Sequence, residues 1–269
     1  MKQKNHKLTI AIVLLALLVS LLLYGHFILA YSPTQLGAGG RLEGPSTAHL
    51  FGTDHMGRDV FARISAGAMT TLFIALGAVS FGAMLGLIIG AFAGFFGGWF
   101  DEIVMHLSDL LTAFPSILLA LVAVSLTGPG TGRMVFILGV LFIPSFARVS
   151  RGEFRRLKNL DYVKRARLIG ASTGRILFVH ILPNTLPVFL SAVAIGFNNA
   201  VLAEASMSFL GLGVLPPQVS LGRMLSESQA YLFLAPWIAV FTGLSISLLI
   251  FAFSMLADAL QEKGGGPNA

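Results

Sequence analysis

The sequence contains no cysteine among its 269 residues. That absence excludes a disulfide framework, a thiolate metal site and a cysteine nucleophile. Charged residues are also scarce, at 11% of the chain, where soluble domains carry about 25%. Hydrophobic residues make up 55%, and the mean hydropathy is +0.83. One water-soluble core of this size could not hide so much apolar surface, so the composition excludes a soluble enzyme and a disordered chain.

Long apolar runs divide the chain into candidate membrane spans, because about 20 helical residues cross the hydrocarbon core. The run at 8–31 follows three lysines, which is the charge order of a signal peptide, but its length and the poor cleavage site at Ala30 favour a retained helix. Residues 64–100 carry no formal charge and predict a short surface helix followed by one span near 70–97. Further spans are predicted at 103–127, 133–150, 181–204 and 236–257.

Small residues follow a helical repeat in the second predicted span. Glycines lie mostly at every fourth position and therefore on one stripe: Gly77, Gly82, Gly86, Gly90 and Gly94. In lipid such a stripe lets two helix backbones approach closely, so we predict a packing face for another helix. Pro144 predicts a kink in the fourth span.

Basic residues are concentrated in one segment. Nine of the 18 lysines and arginines lie between Arg148 and Arg175, against only Glu153 and Asp161. The positive-inside rule places this segment and the lysine-rich N-terminus in the cytoplasm, and the four spans between them agree with that parity. We therefore predict an all-α integral membrane protein with six transmembrane helices and both termini in the cytoplasm. Its predicted parts are residues 1–31 (N-terminus and first helix), 32–69 (outer loop with a short helix), 70–260 (transmembrane core with a cytoplasmic loop at 151–180) and 261–269 (tail).

Several chemistries have no signature here. The chain has no G-x-x-x-x-G-K-[ST] phosphate loop, so we do not expect it to hydrolyse ATP by itself. It has no H-E-x-x-H motif, and its six histidines are scattered. Asp54, His55 and Asp59 share one loop, which favours a hydrogen-bonded turn over a metal site. We expect no metal or cofactor on this chain and no nucleic-acid partner.

The basic cytoplasmic loop has its own pattern. One helical face is formed by Tyr162, Val163, Ala166 and Ile169. Gly170 permits the left-handed residue that ends a short helix, and Ser172 can cap a second one. Pro183 fits the first turn of the next span. A short helix with one apolar face suits docking into a groove of a cytoplasmic partner. A basic loop that only fixes topology or contacts anionic lipid is the alternative, and the residues alone leave both open.

Three motifs carry a family resemblance. DYVKRARLIGAS at 161–172, followed by HILPN at 180–184, resembles the EAA loop of ABC-importer permease subunits. FGTDHMGRD at 51–59 is similar to the outer-loop signature of the dipeptide/oligopeptide/nickel permeases of the C-subunit kind. EASMSFLGLG at 204–213, with prolines at 216 and 217, resembles that group's motif after the fifth span. Together the motifs extend the resemblance over residues 8–260, in the family's order.

The sequence departs from the family pattern in three places. Lys164-Arg165-Ala166 stands where the loop usually has Glu-Ala-Ala, Leu221 stands where the family usually has Trp, and the acidic-proline tail is shortened. These departures affect the identity of the cognate ATPase and of the substrate.

The resemblance implies a type I ABC-importer permease fold in the bacterial inner membrane and transport of di- or oligopeptides or nickel chelates. It implies three kinds of partner besides membrane lipid: a homologous permease subunit, two ABC ATPase subunits that bind ATP and Mg, and an extracytoplasmic solute-binding protein. Coupling to the ATPase falls on nine residues: Asp161, Tyr162, Val163, Lys164, Arg165, Ala166, Gly170, Ala171 and Ser172.

Two other groups of residues are candidates for function. The outer motif can contact the binding protein or the sister permease, or can be a structural turn: Gly52, Thr53, Asp54, Gly57, Arg58 and Asp59. Asp109 and Glu204 are carboxylates within or near the membrane, where a charge must face a cavity or a partner. They are candidates for the substrate pathway, and a helix-to-helix hydrogen bond is the alternative. An autonomous secondary transporter and a membrane-embedded enzyme are the rival functions; the first predicts repeats between the two halves, and none is visible.

Overall fold

The computed structural model describes residues 31–264 and six isolated positions before them: 9, 12, 13, 16, 20 and 24. The first predicted span, 8–31, and most of the tail therefore lie outside the described residues. Within 31–264 the helices are α1 (Val60–Phe96), α2 (Gly98–Thr112), α3 (Ser116–Thr127), α4 (Thr131–Leu157), α5 (Asp161–Leu168), α6 (Leu182–Phe209), α7 (Leu221–Ser228) and α8 (Pro236–Gly264). In this part of the chain β pairing is confined to an isolated bridge between Thr53 and Asp59.

Four of the described helices are long and apolar enough to cross a membrane: Val60–Phe96, Thr131–Leu157, Thr173–Phe209 and Pro236–Ala259. A fifth crossing results if the bent pair α2 and α3 is one broken span. The described residues are thus all-helical, with four or five candidate crossings.

Helix α1 is one continuous rod of 37 residues. The predicted division into a surface helix and a separate span is wrong, because nothing between 60 and 96 interrupts the backbone hydrogen bonds. The helix begins where the Asp59 carboxylate accepts a hydrogen bond from the backbone N–H of Ala62 at 2.8 Å. It ends at Gly97 and Gly98, whose φ angles of 71° and 67° are in the left-handed region that glycine tolerates.

The span predicted at 103–127 is not one continuous helix, and it remains a prediction that the two pieces form a single broken crossing. Helix α2 ends at Thr112, α3 begins at Ser116, and the two helices meet at 84°. The cause is Pro115, which cannot donate a backbone hydrogen bond and keeps the preceding residue out of the helical region.

The glycine stripe of α1 packs against α4, as predicted. A β-carbon on Gly82 would lie 2.7 Å from the carbonyl oxygen of Gly139, and one on Gly90 would overlap the backbone of Ala147. The two backbones therefore approach as closely as small residues allow. Helix α4 continues through Pro144 and extends to Leu157, seven residues past the predicted end of its span.

The segment after α5 turns the chain back toward the membrane. Gly170 has a φ of 84°, which confirms the predicted left-handed residue. The hydroxyl of Ser172 accepts a hydrogen bond from the N–H of Arg175 at 3.4 Å, which confirms the predicted cap. A short helix, Thr173–Arg175, then leads through a π-helical segment, Ile176–Ile181, into α6. This helical run thus begins eight residues before the predicted start at Ile181.

Residues 205–235, between the spans predicted at 181–204 and 236–257, contain a helix of their own. Helix α7 is capped by Ser220 and buries Leu221 and Met224 among the side chains of α1, α6 and α8. The outer end of the helical core is thereby closed by a packed element, which also carries charged residues of the site described below.

Candidate functional site

A cavity of about 720 Å³ lies between the α2–α3 break, the middle of α4 and the middle of α6. Four lining residues are polar and uncharged: Thr112, Ser116, Ser145 and Asn199. The other described lining residues are apolar or glycine, and none carries a formal charge. A volume of this order accommodates a small organic molecule, and the mixture of apolar wall with a few convergent polar groups is typical of such sites.

The rim of this cavity is apolar and exposed. Phe114, Ile195 and Leu202 line it while exposing 57%, 49% and 49% of their surface. The described residues therefore bound the cavity on some sides only.

Glu204 lies away from the cavity lining. Its side chain is fully buried and accepts hydrogen bonds from the hydroxyls of Thr71 at 2.8 Å and Ser208 at 2.6 Å. The Thr71 hydroxyl in turn accepts from the N–H of Leu221 at 3.4 Å, so the group joins α1, α6 and α7. This geometry favours the helix-to-helix hydrogen bond over a place in the substrate pathway.

Asp109 also lies outside the lining, near the C-terminal end of α2. It pairs with Arg148 of α4 at 3.0 Å, and the same guanidinium nitrogen donates to the hydroxyl of Thr112 at 2.6 Å. About two turns before Asp109 on α2, both carboxylate oxygens of Asp101 accept hydrogen bonds from Arg151 of α4. The pathway role of Asp109 stays a prediction, and its observed contact is an ion pair between α2 and α4.

The outer motif is built around a buried carboxylate. Asp54 is 1% exposed and accepts from Arg58 Nε at 2.6 Å and from Arg63. Arg63 also donates to Glu227 of α7 at 2.8 Å, and Arg223 approaches that same carboxylate at 2.9 Å. Burial alone would raise the pKa of Asp54, but the backbone N–H of Arg58 and the charge of Arg63 hold it below its usual value. Burial also raises the pKa of Glu227, but the hydrogen bond and the charge of Arg63 outweigh this effect, so the pKa of Glu227 lies below its usual value.

The remaining motif residues fold the loop onto the start of α1. Gly52 and Gly57 have φ angles of 74° and 71°. The hydroxyl of Thr53 donates to the carbonyl of residue 40 at 2.6 Å, and Asp59 lies 2.8 Å from the ring of His49. These contacts favour the structural-turn alternative; contact with a binding protein or sister permease stays a prediction. Within the described residues no group of three or more potential metal-binding side chains converges.

The cytoplasmic loop uses its apolar face differently from the prediction. Val163 and Ala166 are 0% and 6% exposed and belong to the inward side of α5. Val163 packs in a cluster with four side chains of the flanking helices: Phe154, Leu157, Ile176 and Ile181. The hydroxyl of Tyr162 donates to the carbonyl of His180 at 3.2 Å, and burial raises the pKa of that hydroxyl. Half of the face expected to dock on a partner therefore holds α5 to its own chain.

The exposed apolar residues of this loop lie at its tip instead. Leu168 and Ile169 each expose 86% of their surface, directly before Gly170. The sequence pattern included Ile169 but missed Leu168, although two apolar residues between a charged helix and a turn-forming glycine are a usable signal. The other predicted coupling residues lie around this tip: Asp161, Lys164 and Arg165 are exposed on α5, and Ala171 and Ser172 form the turn.

The fold is shared with solved chains of ABC transporters. A chain of the inward-facing MetNI methionine ABC transporter superposes with a TM-score of 0.55 over 74% of this chain and 96% of its own length, at 19% identity. A chain of an amino acid ABC transporter with histidines gives a TM-score of 0.58 over 75% and 94%, at 17% identity.

Sequence comparison identifies the family. The chain belongs to the binding-protein-dependent transport system inner membrane components, whose profile matches residues 86–263. The dipeptide transport system permease protein DppC of Alkalihalophilus pseudofirmus is 34% identical over 264 residues, which cover 97% of this chain and 86% of the relative. The glutathione transport system permease proteins GsiD of Pectobacterium atrosepticum and of Escherichia coli O6:K15:H31 are 37% and 38% identical over 260 and 261 residues, again 86% of each relative. The chain is therefore a multi-pass permease subunit of the inner membrane.

Proposed function

We propose that this chain is one membrane-spanning half of an ATP-driven importer of short peptides. The proposed arrangement has six transmembrane helices and both termini in the cytoplasm. Counting α2 and α3 as one broken span gives five crossings within the described residues. The retained N-terminal helix expected from the sequence adds the sixth. The arginine-rich end of α4 and helix α5 then lie on the cytoplasmic side, as the positive-inside rule requires.

The observation that carries this proposal is the construction of the cytoplasmic loop. Helix α5 is fixed by its buried side chains, Val163 and Ala166, and presents Leu168 and Ile169 to solvent. An apolar tip on a firmly held helix is the form expected of an element that docks on another protein. We assign that partner as the ATPase of the transporter, which binds ATP and Mg, with one ATPase under each permease half.

The remaining two partners are assigned to the exposed rim of the cavity and to the loop that precedes α1. A homologous permease subunit would cover the exposed rim of the cavity formed by Phe114, Ile195 and Leu202, and the pair of chains would enclose the pathway. A solute-binding protein would deliver cargo to the outer face, over the loop that precedes α1.

The cavity chemistry supports peptides over nickel as cargo. Its polar groups are the hydroxyls of Thr112, Ser116 and Ser145 and the amide of Asn199, which match the donors and acceptors of a peptide backbone. Nickel ions prefer imidazole, carboxylate or thiolate ligands, and none is present in the described lining. The names of the dipeptide and glutathione permeases among the relatives agree with this assignment.

Reconstitution tests the proposal. The chain is expressed with a permease, ATPase and binding protein of the same transporter family from the same organism, purified through a tag on this chain alone, and placed in vesicles. We expect the ATPase to co-purify and the vesicles to take up labelled dipeptide or glutathione only with ATP and binding protein. Uptake by the chain alone, driven by an ion gradient, would instead identify a secondary transporter. Uptake of nickel but not of peptide would reject the cargo assignment and leave the ATP-driven mechanism standing.

A further inference from the structure

In the part of the chain that the structure describes, the two buried side chains of helix α2 are polar, and the apolar Val104 and Met105 on the same face are half-buried. Its buried residues are Asp101 and Ser108, whereas its large apolar side chains, such as Leu107 and Leu110, are more than half exposed. A membrane helix that packs through apolar shape would show the opposite distribution. The hydrogen bonds and ion pairs of its polar residues therefore contribute to fixing α2.

Those polar contacts all lead to one helix, α4. Arg151 forms a two-pronged ion pair with Asp101, with Nη2 donating to Oδ2 at 2.6 Å. Three residues earlier, Arg148 donates to the carbonyl of Ser108 at 3.3 Å, to Asp109 at 3.0 Å and to Thr112 at 2.6 Å. We call these contacts the inner clamp. Two-pronged arginine–carboxylate pairs fix direction as well as distance, so the clamp constrains the orientation of α2 against α4.

The clamp lies between the loop tip and the cavity. Helix α4 lines the cavity with Ser145 and Val149, and the same stretch of the helix carries Arg148 and Arg151. The helix ends at Leu157, a short turn before α5. Thr112, which the clamp holds, is itself a lining residue at the end of α2. A displacement of α5 therefore reaches the cavity wall on the α2 side through α4, whose Phe154 and Leu157 pack in one cluster with Val163 of α5.

We propose that the inner clamp makes α2 move with α4 as one body, so that motion delivered at α5 changes the shape of the cavity at the α2–α3 break. Asp101, Arg148 and Arg151 are thus positioning residues for transport. This inference rests on the proposed function, since it assigns the route of the motion that the ATPase supplies. It differs from a gate at the same place, in which the α2–α4 contact would open during each cycle.

Two sets of variants test the clamp in reconstituted vesicles containing the whole complex. Asp101→Asn removes the charge and keeps the side-chain shape. The matched control is Glu153→Gln, which removes an ion pair with Arg156 on the same helix that does not join two helices. The double variant Asp101→Cys/Arg151→Cys replaces the pair by two thiols. Because the natural chain has no cysteine, a short bifunctional thiol reagent can join them specifically, provided the other subunits lack accessible thiols.

The readout is the number of peptides transported for each ATP hydrolysed. We expect Asp101→Asn to lower this ratio about five-fold or more, with the rate of ATP hydrolysis nearly unchanged, and Glu153→Gln to leave both unchanged. The double-cysteine variant should be equally uncoupled before cross-linking and should regain transport afterwards.

Three results would overturn the proposal. Normal transport by Asp101→Asn would show that the pair is dispensable. A parallel loss of transport and ATP hydrolysis, or a loss of assembly, would make it a folding contact. A block of transport by the cross-link would identify a gate. Failure of the proposed function is distinguishable from these, because the wild-type complex itself would then show no ATP-driven uptake.

Discussion

The loop before α1 and the loop around α5 use charge in opposite ways, whereas the inner clamp between α2 and α4 uses paired charges as the first loop does. At the outer end Asp54 and Arg63 are 1% and 4% exposed, and their ion pairs join the loop, α1 and α7. At the inner end Lys164, Arg165 and Arg167 are exposed, and α5 is held by apolar side chains instead. Buried charges need partners inside the chain, whereas exposed ones remain available to others. The loop before α1 therefore pairs its buried charges within the chain, whereas the charges around α5 remain exposed, in agreement with the proposed docking of that loop on an ATPase.

The largest effect is expected at the inner end, from Gly170→Val. A β-branched residue is strongly disfavoured at a φ of 84°, so the turn after α5 must change its path. Open space around Gly170 means that no neighbour is displaced, so we expect the complex to assemble but peptide uptake to be abolished. Gly174→Val is the matched control, since Gly174 is in the same loop, has open space and has an ordinary φ. Uptake is measured in vesicles; normal uptake by Gly170→Val would remove the coupling role of this turn.

At the outer end the expected effect is on stability and not on coupling. Arg63→Met leaves Asp54 buried with one arginine fewer, and breaking a buried ion pair in this way costs about 3 kcal/mol. We expect a clearly lower midpoint of thermal unfolding in detergent, with the ratio of transport to ATP hydrolysis unchanged in the protein that remains folded. Arg41→Gln, which changes an exposed arginine of the same loop, should leave the midpoint unchanged. A changed ratio of transport to ATP hydrolysis in Arg63→Met would contradict the assignment of the outer ion pairs to stability alone.

The tip of the cytoplasmic loop gives a smaller and more specific effect. The pair Leu168→Ser/Ile169→Ser removes exposed apolar surface without touching the buried side of α5. We expect co-purification of the ATPase to fall about ten-fold and the thermal midpoint of the isolated chain to stay constant. The control is Phe233→Ser, a change of a residue that is 99% exposed in the α7–α8 connection. An equal loss of ATPase from both variants would show a general effect of exposed apolar residues.

The smallest expected effect is the pH dependence of the outer end. Burial raises the pKa values of Asp54 and Glu227, but both lie below their usual 3.8 and 4.5, because the backbone N–H of Arg58 and the charge of Arg63 lower the first and the hydrogen bond from Arg63 lowers the second. A lowered folded-state pKa stabilises the folded protein at neutral pH, and this contribution is lost as the pH falls below the usual values and through the lowered ones. The thermal midpoint should therefore decrease in that acid range, less steeply in Arg63→Met than in the wild type. An equal decrease of the midpoint with pH in both proteins would mean that other carboxylates determine the acid sensitivity.

Sequence periodicity predicted the parts of the fold that depend on local chemistry. The glycine stripe, the left-handed Gly170 and the cap at Ser172 each follow from one residue type at one place, and the structure confirms them. The break after α2 had a local signal in Pro115 that the span prediction did not use, because the apolar run continued on both sides. The length of α1 was misread for the opposite reason: a run too long for one membrane crossing was divided although no residue interrupts it.

The rest depends on contacts between distant segments. The cavity is assembled from residues near 112, 145 and 199, and no spacing rule brings these together. An amphipathic pattern shows that Val163 and Ala166 cover an apolar surface, but it does not show whose surface that is. The inner clamp likewise joins Asp101 to Arg151 across 50 residues, so its two halves could be listed from the sequence but not paired.

The separation between the buried side and the tip of α5 has a consequence for how such transporters diversify. Residues 164 and 165, where this chain carries Lys-Arg in place of the usual Glu-Ala, are exposed and contribute nothing to the apolar cluster that positions the helix. Side chains that meet another subunit can therefore be exchanged while the scaffold beneath them keeps its shape. A duplicated gene could in this way become compatible with a different ATPase subunit through a few surface substitutions, before its membrane-spanning part changed.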